Sequence, residues 1–249
     1  MSHVLRKDVK IIFFAGHDKR NANSSPDGYK EHTANLGVCN EMLKIMSIQG
    51  FGKVTLGNPD GKHMSLSERA EMANKGGYQV AIFVHFDAMG RQWQKHTRGL
   101  HVFVHPEAPK DGGKALALEV YHKLTDGTIM PYLGVKTANF QVLRETIMPS
   151  CLVELAFMDN KEDRVLMASP AYWKECALEI TEGVCNYINH EFFKPEIKPE
   201  EPSAEIPDYK EIIKSLTKYP DPYIADIERM DREGHNWKQF IRKIYNRGW

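Results

Sequence analysis

Ile11-Ile12-Phe13-Phe14-Ala15-Gly16-His17 is short, rich in β-branched and aromatic residues, and ends on a glycine followed by an imidazole. Its composition predicts a buried strand over residues 9 to 16 with a histidine at its carboxyl end. The same layout recurs in Val80-Ala81-Ile82-Phe83-Val84-His85, inside a strand expected over Gln79 to His85. In Cys151-Leu152-Val153-Glu154-Leu155-Ala156-Phe157 the lone polar residue is a carboxylate at the centre of the run. An ionised carboxylate taken out of water is costly unless it is paired, hydrogen-bonded or coordinating a metal, so Glu154 requires a partner.

Outward from these strands, Leu36, Cys39, Leu43 and Met46 recur at helical spacing and predict a helix from Glu31 to about Ile48. Val54 to Gly57 reads as a short strand. Ser65 and Glu68 form a capping box that opens a helix ending at Gly76-Gly77. Leu100 to His105 reads as a strand and Gly113 to Leu124 as a helix. Phe140 to Leu143 and Cys151 to Phe157 read as the last strands, and Ser169-Pro170 as the start of a helix to about Phe192. Alternating strands and helices define an α/β fold: a mostly parallel twisted sheet with helices on both faces. Ligands in such sheets bind beyond the carboxyl ends of the strands, where His17 and His85 fall.

The 249 residues suit one large domain with a small appendage. Residues 1–193 form the expected large domain. Residues 194–207, with Pro195, Pro199, Pro202 and Pro207 among glutamates, have linker composition. Residues 208–249 carry apolar positions at roughly helical spacing, among them Ile212, Leu216, Ile227, Trp237 and Ile241, and predict a small helical C-terminal module. Lys+Arg and Asp+Glu both total 33, so there is no general electrostatic pull toward nucleic acid or an anionic membrane, although a local basic patch is compatible with neutrality. No apolar run approaches the ~20 residues that span a bilayer, so no membrane insertion is expected. The polar start Met1 to Lys10, and the shortness of the apolar run after it, predict cytoplasmic synthesis without a signal peptide. Cys39, Cys151, Cys176 and Cys185 contain no C-x-x-C pair and read as reduced core residues.

Dinucleotide, phosphate-loop and serine-hydrolase motifs are missing: Gly57-Asn58-Pro59-Asp60-Gly61-Lys62-His63 has the wrong spacing, and His190-Glu191 lacks the second histidine of a zincin helix. A hydrolytic zinc site uses His and carboxylate ligands, an open position for water and a separate proton acceptor. His17, Glu31 and His85 are candidate metal ligands on that pattern, and Glu154 the candidate base. An isolated histidine is more commonly a surface or core residue than a ligand, and an ion pair with Arg144 on a neighbouring strand would also account for Glu154. Spacing leaves these readings open. His101 and His105 form a rival pair, but in a strand they stand ~13 Å apart, too far to share an ion.

Gly16-His17, Glu31-His32-Thr33-Ala34-Asn35-Leu36, Glu68 to Asn74, Phe83-Val84-His85, Val142-Leu143-Arg144 and Pro149 to Asn160, in that order, resemble the zinc-dependent N-acetylmuramoyl-L-alanine amidases of the type 3 family. The resemblance spans residues 9 to about 190. It implies Zn2+ on His17, Glu31 and His85, Glu154 as catalytic carboxylate, and peptidoglycan as the partner. Two departures from the usual pattern stand out. D-P-G-H-G-G becomes Phe14-Ala15-Gly16-His17-Asp18-Lys19, and S-I-H-A-N becomes Phe83-Val84-His85-Phe86-Asp87. A wall hydrolase made in the cytoplasm acts after release through the membrane, which favours a phage endolysin over a bacterial autolysin. Residues 208–249 would then serve wall targeting or self-association. A different zinc peptidase or deacetylase, and a non-catalytic wall-binding protein, are the alternatives from other classes.

Overall fold

The computed structural model describes residues 6–20, 23–107, 112–127 and 130–195. Residues 1–193 therefore lie largely within the described part, whereas the 208–249 module and all but the first two residues of the 194–207 linker lie outside it.

Six strands form one sheet among the described residues: β1 (Lys10–Ala15), β2 (Lys53–Leu56), β3 (Val80–Asp87), β4 (Leu100–Val104), β5 (Tyr132–Thr137) and β6 (Ser150–Phe157), in the order β2-β1-β3-β6-β4-β5. Every pairing is parallel except that of β4 with β6. Helices α1 (Glu31–Ser47), α3 (Gly113–Gly127) and α6 (Pro170–Tyr187) cover one face, and α2 (Leu66–Lys75) and α4 (Gln141–Glu145) cover part of the other. A short helix α5 (Lys161–Met167) follows β6. The fold is the α/β sheet expected.

Period-two alternation divides the apolar strand residues between two cores. Ile11, Phe13, Ile82, Val84, Val153 and Leu155 face α1, α3 and α6. Ile12, Phe14, Phe83 and Leu152 face Ala73 of α2 and Val142 and Leu143 of α4. Nearly continuous apolar runs in β1, β3 and β6 reflect burial on both faces. Gly183 lets α6 cross α3 closely, since a Cβ there would sit 2.5 Å from Val120 Cα. All four cysteines are free and buried.

Four local expectations require correction. Phe140 to Leu143 is not a strand: Phe140 is the N-cap of α4, whose apolar Val142 and Leu143 seal the second core. Strand β5 was not expected, because its residues are at best half-buried and Gly134 interrupts it. Helix α5 also escaped the apolar pattern; it is started by Asn160, whose side chain accepts hydrogen bonds from the backbone N–H groups of Glu162 and Asp163. Helix α6 stops at Tyr187 rather than near Phe192, where Asn189 turns left-handed at φ 54° and the His190 N–H donates to the Cys185 carbonyl at 2.8 Å. The capping box of α2 is present in both directions.

Asp163 joins three parts of the chain. Its carboxylate accepts from Gly99 N at 2.8 Å, Phe157 N at 3.0 Å and Arg98 Nε at 3.1 Å, and it is fully buried. Burial pushes its carboxyl above the usual range, opposed by these donors. Asp163→Ala would leave the Gly99 and Phe157 N–H groups without their acceptor and Arg98 with Glu162 in place of two carboxylates, and we expect a loss of about 3 kcal/mol in chemical denaturation. A loss under about 1 kcal/mol would show that water replaces the carboxylate.

Candidate metal centre

The first imidazole sits where β1 ends. His17 has φ 58°, a left-handed conformation uncommon for a residue with a Cβ. Buried Arg69 on α2 holds this turn, donating from Nη1 to the Ala15 carbonyl at 2.6 Å and from Nη2 to the His17 carbonyl at 2.8 Å. Asn58 supports it from the β2 side, exchanging hydrogen bonds with Ala15 N at 2.9 Å and Ala15 O at 2.8 Å. Gly16 is needed for close approach: a Cβ there would lie 2.4 Å from His85 Cε1. Gly16→Ala is expected to displace the His85 ring and lower stability by about 1–3 kcal/mol, as overpacking does. An unchanged melting temperature would show that the ring shifts freely.

Glu31 begins α1 beneath the two rings, with 1% of its surface exposed. Its Oε2 lies 2.8 Å from His17 Nε2, and its Oε1 lies 3.1 Å from His85 Nδ1. One nitrogen from each imidazole and one Glu31 oxygen all fall within 4.8 Å of one another. In a tetrahedron of zinc-length bonds, neighbouring ligand atoms are about 3.3 Å apart, so the cluster has the size and donor chemistry for such an ion. Burial raises the Glu31 carboxyl, but the facing imidazoles outweigh it and leave the group well below the usual carboxylate range. Burial lowers His85, against the pull of Glu31, which favours the neutral ring that can ligate a cation.

The residues orienting this cluster were not identified from the sequence. Asn35, one turn after Glu31 on α1, donates from Nδ2 to Glu31 Oε1 and to the Gly16 carbonyl, both at 3.1 Å. Phe86 N donates to Glu31 Oε1 at 3.1 Å. Asn23 Nδ2 donates to Glu31 Oε2 at 3.1 Å and lies 3.1 Å from His17 Nε2. The Glu31-x-x-x-Asn35 spacing was the available signal, because residues four apart share a helix face.

Glu154 lies opposite His85 in the β3/β6 register and opposite His101 in the β6/β4 register, so the three side chains form a row across one sheet face. Further along the same face, Phe83, Leu152 and Phe103 are sealed by α4; the polar row continues beyond that cover. Glu154 is 8% exposed, and its Oε2 has no hydrogen-bond partner among the described residues. Burial raises its carboxyl well above the ordinary range, and the charges of Glu31 and Asp87 raise it further. A carboxylate in that setting is a strong proton acceptor. The Arg144 alternative does not hold. Arg144 lies on α4, where Nη1 donates to Asn139 Oδ1 at 2.7 Å and Nη2 stands 3.7 Å from Glu145. His101 and His105 do not form a pair either, since His105 instead meets Asn139 at 3.2 Å. Both departures from the usual motifs have local partners: Asp18 meets His63 Nδ1 at 2.7 Å, and Asp87 meets His101 Nε2 at 2.9 Å.

Two imidazoles and a carboxylate converging at the carboxyl edge of a mostly parallel sheet, with a second carboxylate alongside, define the class of domain suited to metal-assisted hydrolysis. The chain belongs to the N-acetylmuramoyl-L-alanine amidase family, whose profile matches residues 11–186. It is 29% identical over 185 residues to the N-acetylmuramoyl-L-alanine amidase CwlM of Bacillus licheniformis, covering 73% of this chain and 69% of that protein. It is 24% identical over 185 residues to the endolysin of Bacillus phage SPP1, covering 72% and 66%. The chain thus spans about two thirds of the length of these relatives. The crystal structure of an N-acetylmuramoyl-L-alanine amidase from Clostridium difficile 630 shares the fold, with a TM-score of 0.68 at 23% identity over 73% of this chain and 97% of that one.

Proposed function

We propose that this amidase hydrolyses the amide joining the lactyl group of N-acetylmuramic acid to L-alanine in peptidoglycan, with zinc on His17, Glu31 and His85 and Glu154 as the proton carrier. The observation that carries this reading is the convergence of the three ligand atoms within 4.8 Å beside a buried carboxylate. Zinc held by these residues would supply Lewis-acid polarisation of the scissile carbonyl and of an attacking water. Glu154 takes the proton from that water and delivers it to the departing alanine nitrogen, so that the amine leaves neutral. Asn35, Asn23 and the Phe86 N–H fix the Glu31 carboxylate, and Arg69 holds the His17 turn, so the ligands are set before substrate arrives.

Digestion of purified wall followed by mass analysis tests the bond assignment. The expected products are released stem peptides with a free L-alanine amine, and an intact glycan. Cleavage between peptide residues, or loss of acetyl groups, would assign a different zinc hydrolase. Wall binding without any cleavage, unaffected by chelation, would assign a wall-binding protein.

In its biology we favour an endolysin made in the cytoplasm and passed to the wall when the membrane opens, with residues 208–249 acting in wall targeting or self-association. The SPP1 endolysin among the relatives supports this; the sporulation-specific amidase of Bacillus subtilis, 26% identical over 184 residues, supports the autolysin alternative. Expression inside Bacillus with and without a co-expressed holin separates them: endolysin action requires the holin for lysis. Truncation after Pro207 with cell-wall pull-down and sedimentation distinguishes targeting from self-association.

A further inference from the structure

The polar row does not stop at Glu154. His101, opposite it on β4, is 3% exposed and packs edge-on against Phe103 and Phe157, at centroid distances of 4.7 and 5.6 Å. On one side its Nδ1 lies 3.0 Å from Lys136 Nζ. An ammonium has only donors, so Nδ1 accepts, and a neutral ring then carries its proton on Nε2. That nitrogen faces Asp87 Oδ2 at 2.9 Å, without the alignment of a full hydrogen bond. His101 therefore holds Lys136 by one nitrogen and faces Asp87 with the other.

Lys136 is exposed and stands opposite Phe103 in the β4/β5 register, on the same face as His101 and Glu154. Among the described residues it has no carboxylate partner; its hydrogen bond goes to the imidazole. A lysine needed only to balance a neighbouring acid would lie on that acid. This one is instead fixed at the far side of the row from His17, with its charge available to a ligand.

Resting on the amidase reading, we infer that Lys136, positioned by His101, binds a carboxylate on the peptide side of the scissile amide: the free α-carboxylate of the residue that follows L-alanine. Adjacent strands are about 4.8 Å apart, so β5 runs about 10 Å from β6, and the lysine stem shortens the remaining distance. An extended peptide advances about 3.3–3.6 Å per residue, so a carboxylate two residues from the reacting carbonyl lies about 7 Å away along the row, within reach of the ammonium. The sign of the local charge makes the inference discriminating. Without Lys136 the outer part of the row presents Asp87, which would repel an acidic peptide.

The test uses full-length, zinc-loaded Glu154→Gln protein, so that substrate is held uncleaved, and titrates two synthetic ligands by calorimetry: N-acetylmuramoyl-L-Ala-D-Glu and the same compound with its α-carboxylate converted to the amide. The acid is expected to bind roughly fivefold to tenfold more tightly than the amide, the range for one charge-assisted contact made by an exposed lysine. Adding Lys136→Met should abolish or reverse that preference, and Lys136→Arg should retain part of it. Equal affinity for the two ligands, no binding of the acid at millimolar concentration, or a preference that survives Lys136→Met overturns the proposal. The amidase reading is judged separately, by the products of the unsubstituted enzyme on wall, and each can fail without the other.

Discussion

Glu154→Gln is expected to lower kcat by about 10²–10⁴-fold while leaving zinc content unchanged, the usual range for removing a positioned acid/base group. The amide keeps the shape of the side chain but cannot take a proton from water. Near-normal turnover in this variant would remove Glu154 from the mechanism. The same substitution should stabilise the metal-free protein. Burial, Glu31 and Asp87 raise the carboxyl of Glu154 above its unfolded value. Its contribution to stability is therefore greatest below the unfolded pKa and declines as pH rises toward and through the folded value. Relative to the parent, metal-free Glu154→Gln should gain in melting temperature as pH is raised from about 4 to 8. A gain that is flat across this range would show that the carboxylate finds compensation in the folded protein. Higher stability with lower activity is the trade-off expected where a site keeps an unpaired buried group for chemistry.

The second large effect concerns the ligands. His17→Ala and His85→Ala are each expected to weaken zinc binding by at least about 100-fold, because even the loss of an orienting partner costs 10–100-fold. Metal analysis after dialysis should fall from one zinc per chain toward none. A thermal shift gives an independent readout. Zinc at a hundred times its dissociation constant stabilises the folded protein by about 2.7 kcal/mol, and both variants should lose most of that gain. Retention of stoichiometric zinc by both would place the ion elsewhere. In the metal-free protein His85→Ala also removes a partner of buried Glu31, whose low carboxyl value depends on both imidazoles. Its depressed value contributes stability above the unfolded pKa that is lost as acid protonates it, so this variant should be less stable than the parent at neutral pH and differ less from it as pH falls below about 4.

The central strands were legible because their signals are local. Ile11 to Ala15 and Val80 to Val84 are apolar without interruption, and Cys151 to Phe157 is broken only by Glu154, as strands buried on both faces are. Isolated titratable residues in such runs also stand out, so His17, His85 and Glu154 could be picked out as candidates; Glu31, at the start of the first helix, was a candidate from the ligand pattern, and the family resemblance added to it. The edges were harder. β5 presents half-buried and exposed residues with a glycine among them, and its place depends on pairing with β4 rather than on its own sequence. Phe140 to Leu143 has the composition of a strand but sits where a single helical turn can seal the second core. Local propensity is weak over four residues, and packing decided the outcome.

By itself the sequence determined the class of sheet, the residues that interrupt its apolar strands and the family pattern they form, since each depends on composition or order along the chain. Tertiary structure alone decided that β4 runs antiparallel to β6, that Arg144 lies away from Glu154, that Asn23, Asn35, Asn58 and Arg69 brace the candidate centre, and that His101 joins Lys136 to Asp87. These features arise from register and from contacts between residues far apart in the chain. A side chain's neighbours across a sheet are fixed only when the strands dock, and no local pattern encodes them.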